Sequence, residues 1–390
     1  MTEADWMTGE SSLRGPPPHR RGGSTHRDIN IGWFLASAWV GVCGIALYGP
    51  AAIRILLICM ASATAARLGL AMALRQPVSG RFVRAGLIGL LFGLTLPATV
   101  PWQIALLGSV IAILLGQGVF GGVLHPALVG RVVVQFVFGP YLSLATGGAL
   151  ALSPVLTPAD LFVGDLFNAE RVEHYQGWLS TQEATTKDAY LLERPVQELR
   201  RFAQTGVDSD GGLPYVSLLR DALPPWYETV IGAVPGGIGE TCAVALIIAG
   251  LFLIYRGYLR WQLPVVLLGS AALAAAILPV DLGGNYQWFP ALEVEQGSAV
   301  GLAYVLYHLT SGQLMLGAFL LAGDSLSSPM RVHGQIVFAA GVGVLTIFMR
   351  LYGVLEGECY WSILMMNVLV GTINHRMKRP VLGMKLEPER

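Results

Sequence analysis

The chain has 390 residues, with 25 Lys+Arg balanced by 25 Asp+Glu, so its formal net charge is zero and only 13% of it is charged, against about 25% in an ordinary soluble domain. Hydrophobic residues make up 54%. That balance excludes a soluble enzyme, a disordered regulator and a protein that holds nucleic acid on a basic surface, and four cysteines are too few for a disulfide framework.

In chain order, residues 1–29 carry Pro16-Pro17-Pro18, paired glycines and several arginines without an apolar run. Such a stretch cannot bury a core, and it predicts a disordered cytoplasmic tail rather than a signal peptide, since no small-residue cleavage site follows the first apolar run. Five segments long and apolar enough for membrane helices come next, at 31–48, 51–73, 83–97, 102–117 and 128–146. Residues 147–230 are too polar to span and hold twelve acids against six bases. Five more apolar segments follow at 239–255, 261–280, 300–321, 333–350 and 360–374, and residues 377–390 form a basic tail.

The expected fold is therefore all-α and polytopic. Ten transmembrane helices form two five-helix halves, 30–146 and 231–376, around an insert at 147–230. Five helices per half makes the halves enter from opposite sides, as in inverted repeats. A shift of 232 positions lays Pro97 on Pro329 and Val119-Phe120-Gly121 on Leu351-Tyr352-Gly353, which is a hint of such a repeat. Basic residues give the orientation. With the N-terminal tail inside, the inner loops hold Arg75, Arg81, Arg84, Arg131, Arg256, Arg260 and Arg331, and the inner C-terminal tail holds five more. About sixteen of the 25 Lys+Arg then lie inside, and the acidic insert lies outside. A multi-pass protein of a bacterial inner membrane is expected, with both termini cytoplasmic and the insert periplasmic.

Few residues could carry chemistry. The loop Pro235-Gly236-Gly237-Ile238-Gly239-Glu240-Thr241 allows close backbone approach, and successive amides before a helix form an anion-binding concavity. It also reads as a tight turn whose acid faces the helix dipole. Asp324 closes the 300–321 segment near the inner face, where an acid is either part of an ion path or simply interfacial. Thr310-Ser311-Gly312 interrupts that otherwise apolar segment and permits close approach of a helix or ligand. Asp208 to Tyr215 reads as a turn, because the bidentate Glu of a calcium-binding loop is missing. Cys43, Cys59, Cys242 and Cys359 have no paired spacing and read as packing residues rather than cluster ligands. His308 is the one histidine inside a predicted helix, and one axial candidate does not make a haem site.

Several stretches taken together are similar to the RnfD/NqrB family of large membrane subunits in Rnf and sodium-pumping NADH:quinone oxidoreductase complexes. They are Gly89 to Pro97 with Pro101-Trp102, Gly121-Gly122 with Pro126 to Arg131, Gly237 to Thr241, His308 to Gly312 with Met315 to Phe319, Gly341 to Thr346, and Leu364 to Asn367. Their order matches the family's across residues 30–385.

The resemblance implies a subunit that couples electron transfer to proton or sodium movement beside other membrane subunits, and as intramembrane acids Glu240 and Asp324 suit a proton or sodium path in this and in each alternative reading. It also implies flavin mononucleotide esterified to a Thr in an Ala-Thr-Pro motif ahead of the sixth helix. Here Gly212-Leu213-Pro214 stands at that place, and Leu213 has no hydroxyl to form the phosphoester. Covalent FMN is therefore not expected. A non-covalent FMN or riboflavin would use Gly236, Gly237, Gly239, Glu240 and Thr241 with Ser311 and Gly312. The acidic insert would dock a periplasmic flavoprotein or cytochrome domain. Two alternatives stay open: a flavin-free anchor for redox partners, and a small-solute or ion channel with repeats like those of urea transporters.

Overall fold

The computed structural model describes residues 26–75, 82–144, 195–205, 215, 218–219, 223–224, 226–232, 234, 236–282, 285–292, 297–324, 327–353 and 355–376. Residues 1–25, the C-terminal tail 377–390, most of the insert and Leu213 lie outside the described residues, while residues 26–29 of the expected N-terminal tail already belong to a helix.

The described chain is mostly helical, and a helix occurs in each of the ten apolar segments. The first half contains α1 (His26–Tyr48), α2 (Pro50–Ala73), α3 (Phe82–Leu94), α4 (Trp102–Ile111, continued by a π-helical stretch Ala112–Val119) and α5 (Pro126–Leu144). The insert contributes α6 (Pro195–Thr205) and α7 (Trp226–Ile231). The second half contains α8 (Ala243–Tyr255), α9 (Gln262–Ile277), α10 (Ser298–Thr310), α11 (Leu314–Leu316, running on as a π-helical turn Gly317–Leu321), α12 (Val332–Tyr352) and α13 (Glu358–Arg376). Among the described residues four helices are long and apolar enough to cross a membrane, and a fifth if α10 and α11 count as one bent span. The others are shorter apolar helices.

Three expectations change. The segment read as one helix over 300–321 is broken, with α10 and α11 meeting at 61° around Gly312, whose φ of 70° a residue with a side chain adopts only under strain. The fold is not purely helical, because Val280–Leu282 and Asn285–Gln287 pair as an antiparallel hairpin between α9 and α10. Arg131, counted above as a loop charge, is buried inside α5 at 2% exposure.

Small residues let the helices approach. A side chain at Gly89 would meet the Cys59 carbonyl oxygen at 2.3 Å, holding α3 tight on α2. One at Gly343 would meet the Leu267 carbonyl oxygen at 2.4 Å, holding α12 on α9. α2 packs on α3 and α4, while α9 packs on α10 and α12. α1 packs on α3, α8 packs on α11, and α1 lies against α8. α5 and α13 begin and end 232 residues apart.

Candidate functional site

Two chain breaks meet in the core. After α3 the chain turns at Leu94, Thr95 and Leu96, and before α8 it runs through the loop 236–241. The Ile238 amide donates to the Leu96 carbonyl and the Gly239 amide to the Leu94 carbonyl, each at 2.8 Å. Only glycine permits this docking at Gly239, since a side chain there would lie 2.7 Å from Leu94 Cβ.

Glu240 is 3% exposed. Burying a carboxylate costs several kcal/mol unless hydrogen bonds replace its water, and two donors do so. Its Oε2 accepts from the Gly237 amide at 3.1 Å, and its Oε1 accepts from the Tyr360 hydroxyl on α13. Arg131 lies over the Tyr360 ring, 5.7 Å from its centroid. Its Nε donates to the Thr95 carbonyl at 3.3 Å and its guanidinium also donates to Gln135. The contacts thus run from Thr95 through Arg131, Tyr360 and Glu240 back to the loop. Beside them the Tyr48 hydroxyl donates to Thr241 Oγ1 at 3.3 Å.

A second polar group surrounds the α10–α11 break. Arg350, fully buried, donates to the carbonyls of His308 and Ser311 at the end of α10, the groups a broken helix leaves without intrahelical donors. Glu358, 1% exposed, accepts from Arg350 Nε at 2.9 Å and faces Arg200 of α6 at 3.5 Å. Among the described residues both His308 ring nitrogens, Ser311 Oγ and Gln313 Oε1 are buried without a hydrogen-bond partner. His308 packs edge-on against Tyr304, with centroids 4.6 Å apart.

The two groups share one cavity of about 20 Å³, bounded by Gly236, Glu240 and Thr241 on one side and Gly312, Gln313 and Glu358 on the other. Of the residues singled out in the sequence, Gly236, Glu240, Thr241 and Gly312 therefore come together. Gly237 and Gly239 support the loop from behind, and Ser311 adjoins the break. Asp324 is elsewhere: Arg84 at the start of α3 holds it at 3.1 Å. Arg131, Arg200, Arg350, Glu358 and Tyr360 were not singled out as site residues. The signal for Arg350 was a lone charge in an apolar run, which is costly in a membrane and points to function or a partner.

The loop does not fit a flavin phosphate. Its three successive amides already donate inside the protein, to Glu240 and to the Leu96 and Leu94 carbonyls. The anion in the concavity is the chain's own Glu240 carboxylate. The space between the two groups, about 20 Å³, has room for about one water. The four cysteines are free, and among the described residues no three His, Cys, Asp or Glu side chains group to hold a metal ion.

Comparison with known proteins accords with this architecture. The NQR2, RnfD, RnfE family profile matches residues 14–383. The chain is 29% identical over 381 residues to a subunit of the ion-translocating oxidoreductase complex of Halorhodospira halophila, covering 94% of each chain. It is 28% identical to a subunit of the Na(+)-translocating ferredoxin:NAD(+) oxidoreductase complex of Acetobacterium woodii, over 86% of this chain and 84% of that one. It is also 28% identical to a subunit of the proton-translocating ferredoxin:NAD(+) oxidoreductase complex of Clostridium ljungdahlii, over 93% of each.

Proposed function

From the premise that this chain belongs to the NQR2, RnfD, RnfE family, we propose that it is a membrane subunit of an electron-transfer complex that moves ions, acting beside other membrane subunits and not as an enzyme alone. The observation that carries the ion part is Glu240. It is a buried carboxylate where two chain breaks meet, beside a cavity of water or ion size. Intramembrane acids facing a cavity mark ion and proton paths. The α3 turn and the α10–α11 break supply the irregular backbone that a membrane tolerates only where protein or a cavity surrounds it. Asp324, held by Arg84, is the corresponding acid at the opposite ends of α3 and α11. The relatives' names include both a sodium- and a proton-translocating complex, and the coupling ion here is one of these.

The halves are read as inverted repeats, with α1 to α5 answering α8, α9, α10 with α11, α12 and α13. The matched packing pairs and the common offset of α5 and α13 support this reading. The inner placement of both termini rests on the distribution of Lys and Arg. The acidic insert is then the outer surface, suited to a basic flavoprotein or haem-bearing partner domain.

Electron transfer is then carried by the partner subunits and not by a flavin on this chain. Leu213 offers no hydroxyl, and the amides of Gly237, Ile238 and Gly239 are already engaged inside the protein. Acid precipitation of the purified complex followed by ultraviolet imaging of the gel tests this directly. No fluorescent band is expected for this chain, while redox subunits co-purify with it. A band that disappears on replacing Ser209 or Ser217 would establish another covalent site, and purification without any redox partner would remove the subunit reading.

A further inference from the structure

We infer that α6, the helix Pro195–Thr205 of the insert, is a removable cover over the α10–α11 break, and that Arg200 is the positioning residue that holds it shut. Its N-terminal half supplies one wall of the cavity through Val196, Gln197 and Arg200. Val196 sits directly on the break, its Cγ2 lying 2.5 Å from where a side chain at Gly312 would begin. With α6 in place, no water reaches Ser311, which is fully buried.

What holds α6 is specific. Its polar face caps the C-terminal end of α12. Arg200 donates to the Leu355 carbonyl at 3.0 Å and the Arg350 carbonyl at 3.4 Å, and Gln204 donates to the Leu351 and Gly353 carbonyls at 3.3 and 3.4 Å. Gln197 donates to Glu356 at 3.1 Å. Its apolar face buries Leu199, Phe202 and Ala203, with the Phe202 ring 6.2 Å from that of Tyr304. Arg200 also faces Glu358, and Glu358 fixes the Arg350 that grips the His308 and Ser311 carbonyls. The insert is thereby linked to the break through three charged side chains in series.

Two physical points make this a cover and not a fixed wall. The carbonyls that α6 caps lie at a helix end, where water can replace side-chain donors at small cost. A helix of 11 residues is too short to persist alone in water, so α6 leaves as one cooperative unit when its docking is lost. A partner that binds the insert and draws on α6 would open the break. The cover regulates the cavity read above as the ion site and rests on that reading for its significance. Access alone is measured below, so a failure of ion coupling and a failure of the cover are separate results.

The test is the labelling rate of Ser311→Cys in the purified complex with a water-soluble maleimide, followed by mass spectrometry of the peptide containing that residue. Labelling is expected to be slow in Ser311→Cys alone and about tenfold faster when Arg200→Ala is added. Arg200→Lys, which keeps the charge toward Glu358, should give an intermediate rate. Equal rates with Arg200 intact, with Arg200→Ala and with Arg200→Glu, at unchanged melting temperature, would overturn the inference. If the Arg200 variants do not assemble, hydrogen exchange of the unmodified complex decides. The amides of 311–313 are expected to exchange together with those of α6, and bend amides protected more than tenfold beyond α6 would overturn it.

Discussion

At the residue scale the buried charges decide most. Arg350 and Glu358 are 0% and 1% exposed and 2.9 Å apart, and removing Arg350 leaves Glu358 with Arg200 alone, 3.5 Å away, at a cost of up to about 3–5 kcal/mol. Arg350→Met should destabilise the protein by about that much, because it also strips the His308 and Ser311 carbonyls of their donor. Arg350→Met combined with Glu358→Gln should cost less than Arg350→Met alone. Thermal melting of the purified complex carrying each variant measures this, and a double variant worse than the single one would show that the pair is not the unit. Tyr360→Phe removes the hydroxyl donor to Glu240 Oε1, with an expected loss of about 1–3 kcal/mol in the same melting measurement. These residues were hard to single out from sequence for different reasons. Arg350 and Glu358 are eight positions apart on two helices, and Arg131 lies near a predicted helix end, where positive charge usually signals orientation.

At the element scale the site depends on places where helices stop. The turn after α3 and the loop before α8 exchange backbone hydrogen bonds, and Gly239→Ala should separate them, since the added carbon would meet Leu94 Cβ at 2.7 Å. The expected signature is faster proteolysis or hydrogen exchange at 94–96 and 238–241 together, with the distant α9–α12 contact unaffected. Protection unchanged at both segments would mean that the docking is not what holds the loop. Helices in the apolar segments were legible because long apolar runs leave little alternative to a helix, although among the described residues only four, or five with the bent pair, are long enough to span a membrane. The break within 300–321 was only half legible. Thr310-Ser311-Gly312 marked a place of close approach, but a run apolar on both sides reads as continuous, and the π-helical turns at Ala112–Val119 and Gly317–Leu321 have no composition of their own. The hairpin was missed because its strands are three residues each, too short for an alternating pattern to stand out.

At the scale of the whole molecule, neutrality conceals a division of charge. With the buried Arg131 set aside, about fifteen Lys and Arg lie toward the face assigned as inner, while the insert has twelve acids against six bases. The orientation this implies is tested with single cysteines at two exposed positions, Tyr286 in the hairpin and Arg260 ahead of α9. Tyr286→Cys should label with a membrane-impermeant maleimide in intact cells, and Arg260→Cys only after the cells are opened. The reverse pattern would turn the molecule over. Under the proposed function, Glu240 is the place where ion movement passes through this subunit. The most direct test is electron-transfer-driven ion uptake by vesicles containing the assembled complex with Glu240→Gln, which keeps the side chain's size and hydrogen bonding but removes its charge. Electron transfer should continue at a rate near that of the unmodified complex, while uptake of sodium or protons falls at least tenfold. Uptake per electron equal to that of the unmodified complex would contradict the role given to Glu240.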